Sequence, residues 1–188
     1  MSPYFIPSER GVGSLCSLVN KGVHVRVLTN SLASTDVPVV HAGYARFRPR
    51  LLACGVELYE LRPGVKPARR GLSSGTSLHA KAVIVDRAML IVGSMNLDPR
   101  SRRLNTEVAL RIESPTLGAQ LGALFDEAII HDQVFRVQLA EAGNPDAPLI
   151  WLGAEKGRPV RLENEPLASW WRNFVSGLLG ALAPYELL

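Results

Sequence analysis

Long apolar runs, cysteine and aromatic residues are all scarce in this chain. No stretch approaches the roughly 20 apolar residues that a membrane-spanning helix needs. The longest candidate, Phe174 to Ala183, is short and interrupted by Gly177 and Gly180. Cysteine occurs twice, as Cys16 and Cys54, each in an apolar segment that reads as a helix. Two cysteines make no disulfide framework, so a reducing compartment is expected. No secretory pattern follows Met1, which leads directly into S-P-Y-F-I-P without a basic region or an apolar core. Aromatic residues make up 6% of the chain and gather towards its C-terminus, away from the most basic segment. A nucleic-acid surface would interleave the two, so nucleic acid is a disfavoured partner. Internal repeats and low-complexity segments are absent.

A length of 188 residues is enough for one sizeable domain, and a hydrophobic fraction of 47% is that of a globular protein. A net charge of +4 suits an anionic partner, either lipid headgroups or nucleic acid, without choosing between them.

Along the chain, Ser8 reads as a helix cap with Glu9 in the first turn, and the helix stops at Lys21-Gly22. Val23 to Leu28 alternates and is rich in β-branched residues, as a strand requires, with His24 on its polar face. Pro38 to Cys54 reads as one helix and Val56 to Leu61 as a second strand. This order predicts an α/β fold, an α/β/α sandwich with a mixed, largely parallel sheet flanked by helices. Arg62 to Ser77 is a loop with four basic residues (Arg62, Lys66, Arg69, Arg70) and no acid. Leu78 to Val85 and Met89 to Ser94 predict a hairpin around Asp86-Arg87-Ala88. Leu104 to Ile112 predicts a strand and Pro115 to Ile130 a helix ending near His131. Residues 1–142 are expected to form the main domain. Residues 143–188 are expected to be an extension, irregular from Gly143 to Pro166 around an anchoring Trp151, then an amphipathic helix from Ala168 to Leu182.

Chemistry concentrates in one run, S-L-H-A-K-A-V-I-V-D-R-A-M-L-I-V-G-S-M-N, with the patterns H-x-K-x4-D and G-S-x-N. His79 and Lys81 share a strand face by alternation, and Ser94 and Asn96 have the same spacing on the next element. A hairpin can bring all four to one volume holding an imidazole, a cation and two neutral polar groups. Such a volume suits a phosphodiester. Lys81 and Asn96 bind its non-bridging oxygens, His79 approaches phosphorus, and negative charge developing on the oxygens is stabilised in place. Asp86 lies an odd number of residues from His79 and is assigned to holding the turn or a nearby cation. Glu107, in L-N-T-E, is the candidate for orienting His79 and stabilising its charged form. His41 and Tyr44, in V-H-A-G-Y-A-R, are candidates for lining a substrate groove. No Cys or His stands at ligand spacing to His79, and Lys81 already supplies positive charge, so neither a metal nor another cofactor is expected.

These residues resemble the signature of the phospholipase D superfamily. G-V-H-V-R-V-L-T-N-S-L-A-S-T-D, G-V-E-L-Y-E-L and G-S-M-N-L-D-P-R-S-R-R-L-N-T-E also resemble its bacterial cardiolipin synthase branch, over most of residues 2–113. The resemblance implies a phosphatidyltransferase working through a phosphatidyl-histidine intermediate. Its catalytic residues would be His79, Lys81, Asp86 and Glu107, with Lys81, Ser94 and Asn96 binding the substrate phosphate, and its substrates would be phosphatidylglycerol and phosphatidylethanolamine. The C-terminal helix, with Trp170, Trp171 and Arg172 followed by leucines, has the make-up to seat in a bilayer interface, so a peripheral position on the cytoplasmic face of the cell membrane is expected. Enzymes of that branch carry two such motifs, and this chain has one. The second half would come from a missing N-terminal half or from a homodimer. A phosphodiesterase, phospholipase D or nuclease acting as a homodimer, and a non-catalytic fragment, are the alternatives.

Overall fold

The computed structural model describes residues 1–64, 77–130 and 132–167. Lys66, Arg69, Arg70, His131 and the helix expected over 168–182 lie outside the described residues.

Helix α1 (Ser8–Asn20) is followed by strand β1 (Arg26–Asn30), two short helices α2 (Pro38–Ala45) and α3 (Arg48–Ala53), and strand β2 (Glu57–Leu61). Strands β3 (Ala82–Val85) and β4 (Met89–Gly93), helix α4 (Pro99–Arg103), strand β5 (Ala109–Glu113) and helix α5 (Pro115–Ala128) come next. Strands β6 (Val134–Leu139), β7 (Leu149–Glu155) and β8 (Arg158–Leu162) complete the order.

Two sheets result. One has five strands in the order β1-β2-β6-β7-β8, and the other has three in the order β3-β4-β5. Among the described strands β1 and β2 pair in parallel and the other neighbours run antiparallel, with one further parallel bridge between Phe5 and Leu97 outside the strands. The α/β class and the mixed sheet are as expected, but the parallel share is smaller. The reason is local: β6, β7 and β8 are joined by connections too short for a crossover. The same strands correct the expectation that Gly143 to Pro166 is irregular. Trp151 does anchor this region, buried on β7 opposite Val137.

Alternation along the five-stranded sheet divides the core in two. Val27, Leu58, Val137 and Trp151 face one side, with Val12 of α1 and Leu51 of α3. Leu28, Tyr59 and Val134 face the other, with Phe125 of α5. Residues 1–6 join the two sheets edge to edge. Ser2 N–H donates to Leu28 O at 3.1 Å, Ala82 N–H donates to Met1 O at 3.0 Å, and Ile6 N–H donates to Leu97 O at 2.8 Å.

Three further expectations are corrected. Ser8 is the first helical residue of α1, not its cap; the cap position is Pro7, which offers no side-chain acceptor. The helix expected over 38–54 is two helices, broken at Arg46-Phe47, because Pro49 has no N–H for the carbonyl of Ala45 four residues back and its ring crowds that carbonyl. Cys16 and Cys54 form a disulfide with Cα atoms 5.5 Å apart. Their segments pack side by side on the same sheet face, which a count of two cysteines does not reveal. The pairing removes cysteine scarcity as support for a reducing compartment. Among the described residues, no helix is long and apolar enough to cross a membrane.

Candidate active site

The motif lies at one end of the β3–β4 hairpin. The register sets Ala82 opposite Val92, so Lys81 meets Gly93, whose N–H lies 3.4 Å from Lys81 O. His79 and Lys81 stand just before β3 rather than within it. His79 is exposed. Lys81 is partly buried and its ammonium donates to His79 O at 3.0 Å.

Gly93 is required by its neighbours. A Cβ there would lie 2.0 Å from Val108 O and 2.7 Å from the Cα of Ala109. This close approach lets Ser94 bond twice to the segment entering β5. Ser94 N–H donates to Val108 O at 2.9 Å, and Val108 N–H donates to Ser94 Oγ at 3.0 Å. Ser94 Oγ in turn donates to Glu107 Oε2. Asn105 Nδ2 donates to Glu107 Oε1 at 3.2 Å. The Ser94 and Asn105 hydrogen bonds hold the Glu107 carboxyl below its usual range. Among the described residues no hydrogen bond joins Glu107 to His79; the carboxylate is held by Ser94 and Asn105.

Burial lowers the pKa of Lys81, against the attraction of Glu107, Asp36 and Asp98. The lysine thus sits in a field of three carboxylates without an ion pair to any of them among the described residues. Asp36 accepts from Tyr4 Oη at 3.0 Å, and burial followed by this bond pushes the Tyr4 hydroxyl up to about 12. Asp98 caps α4 by accepting from Ser101 N–H at 2.7 Å. Asn96 has its Oδ1 buried without a hydrogen-bond partner.

Asp86 is at the opposite end of the hairpin, five residues or roughly 16–17 Å of strand away from Lys81. Asp86 and Arg87 have φ of 50° and 52°, and Ala88 N–H donates to Val85 O at 3.0 Å. Left-handed backbone is unusual for most side chains and better tolerated by Asp. Arg87 ties the turn to Asp126 on α5.

His41 and Tyr44 do not line an open groove. They are 3% and 2% exposed, packed beside Phe5 and the Thr29-Asn30 end of β1, with the Arg48 guanidinium over the Tyr44 ring. They belong to a buried charge network that the sequence reading missed. Arg48 Nη1 donates to Glu60 Oε1 at 3.0 Å, and its Nη2 donates to Glu165 Oε1. Trp151 Nε1 donates to Glu60 Oε2 at 2.9 Å. Burial opposes the charge on Arg48, but Glu60 and Glu165 outweigh it and raise its pKa. Burial, then Arg48, holds His41 well below its ordinary value. A signal was present: Glu60 lies within the apolar strand E-L-Y-E-L, and a carboxylate buried there needs a cation. His41, Glu60 and Glu165 approach within 4.8 Å of one another, but Arg48 already supplies the positive charge and Glu60 has both oxygens engaged.

Comparison with known proteins identifies the family. A family model described as cardiolipin synthase, PLD-like domain, matches residues 1–129. Cardiolipin synthase C of Escherichia coli (strain K12) is 41% identical over 194 aligned positions, covering 100% of this chain and 40% of that protein. Cardiolipin synthase A of Escherichia coli is 32% identical over 138, covering 73% of this chain and 26% of that protein. The chain therefore spans well under half the length of these curated relatives. A phosphatidylserine synthase from Haemophilus influenzae Rd KW20 has the same fold, with TM-score 0.56 and 17% identity over 100% of this chain and 40% of that one.

Proposed function

The chain belongs to the family of cardiolipin synthase, PLD-like domains, and from that premise we propose that it supplies one half of a phosphatidyltransferase active site. His79 attacks the phosphorus of a donor phospholipid and its alcohol leaves, giving a phosphatidyl-histidine. A second motif histidine, from the other half, protonates the departing alkoxide. It then takes the proton of an acceptor hydroxyl, which attacks phosphorus and frees His79. Phosphatidylglycerol is the acceptor of choice, and phosphatidylglycerol or phosphatidylethanolamine the donor. Lys81, Ser94 and Asn96 hold the phosphodiester oxygens, while Asp86 keeps the hairpin turn. Glu107 positions the motif through Ser94 and takes up His79 when substrate binds. No metal or other cofactor takes part.

The observation that carries this reading is the meeting of Lys81 with Gly93-Ser94, and of Ser94 with Glu107, at one hairpin end. A covering second half is supported by β5 and its approach, where Leu104, Val108 and Leu110 are 67%, 66% and 60% exposed. That half is a separate N-terminal portion or a second copy of this chain. The protein would work at a membrane surface, on its cytoplasmic side.

The test is transfer on phosphatidylglycerol vesicles, with light scattering to give the mass of the active species. We expect His79→Ala to abolish product and the trapped phosphohistidine while leaving the unfolding midpoint unchanged, as surface substitutions usually do within about 0.5 kcal/mol. Turnover of DNA or of a chromogenic phosphodiester, with no lipid transfer by a dimer, would move the assignment to a phosphodiesterase. Inactivity of every assembly containing the second half would leave a non-catalytic fragment.

A further inference from the structure

A cleft of about 470 Å³ separates the start of α1 from the Met95–Arg103 segment, within the size range of ligand pockets. One of its walls is Met95-Asn96-Leu97, the direct continuation of Gly93-Ser94. Ile6 and Leu15 give it an apolar floor. Two other cavities near candidate residues, beside His41 and beside Lys81, have about 10 and 20 Å³, room for no more than a water. A substrate whose phosphate rests at the motif therefore has one roomy direction among the described residues in which to extend.

The rim of this cleft is basic. Arg10, Arg102 and Arg103 line it, all exposed, and none is in an ion pair among the described residues. Its two acidic neighbours are already engaged, Glu9 with Arg50 at 2.5 Å and Asp98 as the cap of α4. The lining thus joins an apolar floor to three cations that have no ion pair among the described residues. An anionic phosphodiester attached to hydrocarbon matches that combination; a free headgroup leaves the floor unused, and a neutral lipid leaves the arginines unused.

We propose that this cleft is the subsite for the glycerol backbone and first acyl methylenes of an anionic glycerophospholipid. The proposal rests on the phosphodiester site described under Proposed function and adds to it where the apolar part of the substrate lies. Each methylene buried from water is worth about a fourfold gain in affinity.

Calorimetric titration of the full 188-residue chain tests it with two probes. One is dihexanoylphosphatidylglycerol below its aggregation concentration, and the other is glycerophosphoglycerol, the same diester without chains. We expect the acylated probe to bind at least about tenfold more tightly. Ser14→Trp, which fills the cleft from α1, should remove that gain and leave the deacylated probe unchanged, while Ser14→Ala should keep it. Equal affinity for the two probes, or a gain that survives Ser14→Trp, overturns the subsite and leaves the phosphodiester site standing. If neither probe binds, both readings fall. If a short single-stranded oligonucleotide binds more tightly than the lipid, the arginine rim serves nucleic acid and the subsite is overturned.

Discussion

The two sheets of this protein are built to different standards. The five-stranded sheet is covered on both faces by helices, and the charges it buries are paired: Arg48 meets Glu60 and Glu165, and Trp151 caps the remaining oxygen of Glu60. The three-stranded sheet ends in β5, four of whose five residues are exposed. The candidate site sits on the second sheet, in contact with side chains that carry few internal partners. His79 is open, and among the described residues Asn96 Oδ1 is unpartnered and the Lys81 ammonium bonds only to the main-chain oxygen of His79. Rigidity is thus invested beside the site, and the bonding capacity left over is at the site, available to a ligand and to a covering half.

If this contrast is real, the largest loss of stability should come from the scaffold sheet. Arg48→Met leaves Glu60, 0% exposed, without its cation. Breaking a buried pair in this way costs about 3–5 kcal/mol, and urea unfolding should read a loss of that size. Adding Glu60→Gln should recover part of it. An Arg48→Met protein as stable as wild type would mean that the network does not hold the scaffold together. A smaller loss is expected at the site's own sheet. Gly93→Ala forces Cβ against Val108 O, so the Gly93 to Ala109 pairing must open. Overpacking of this kind costs about 1–3 kcal/mol. Lipid transfer should fall by more than the stability loss explains, because Ser94 and Glu107 lose their shared geometry. Intact transfer with a destabilised fold would separate the motif from that pairing.

Much of this organisation was legible in the sequence, for identifiable reasons. The hairpin was readable because β-branched runs flank Asp86-Arg87-Ala88, and its register then brings Lys81 to Gly93. Helix α5 was readable from Ser114-Pro115 and a sustained apolar stripe. The elements misread depend on contacts distant in sequence. Strand β7 is interrupted by Gly153 and β8 carries Pro159, breaker signals that pairing onto β6 and then onto β7 overrides. His41 looks like any polar helical residue until α3 and Glu165 close over it. Glu107 was placed beside the motif by its spacing, but the partners that hold it, Ser94 and Asn105, depend on how β5 enters the sheet.

The smallest expected effect tests how the two sheets are joined. Asp126 on α5 accepts from Arg26 of β1 at 2.9 Å and from Arg87 of the hairpin turn. Desolvation works against its charge, but the hydrogen bonds from Arg87 and Arg26 outweigh it and hold the carboxyl below its usual range. An acid depressed on folding stabilises the protein fully above its unfolded pKa of about 3.9, and that stability is lost as pH falls through the folded value. Asp126→Asn should therefore lower stability at pH 7 by about 0.2–1 kcal/mol, the range for partly exposed pairs. The two proteins should converge as the carboxyl of wild type is protonated below about pH 4. Amide exchange locates the effect. If Asp126 couples the sheets, exchange should quicken in β3 and β4 while the β2 and β6 amides keep their protection. Equal quickening in both sheets would mean that α5 belongs to the scaffold alone and that the hairpin is positioned by residues 1–6.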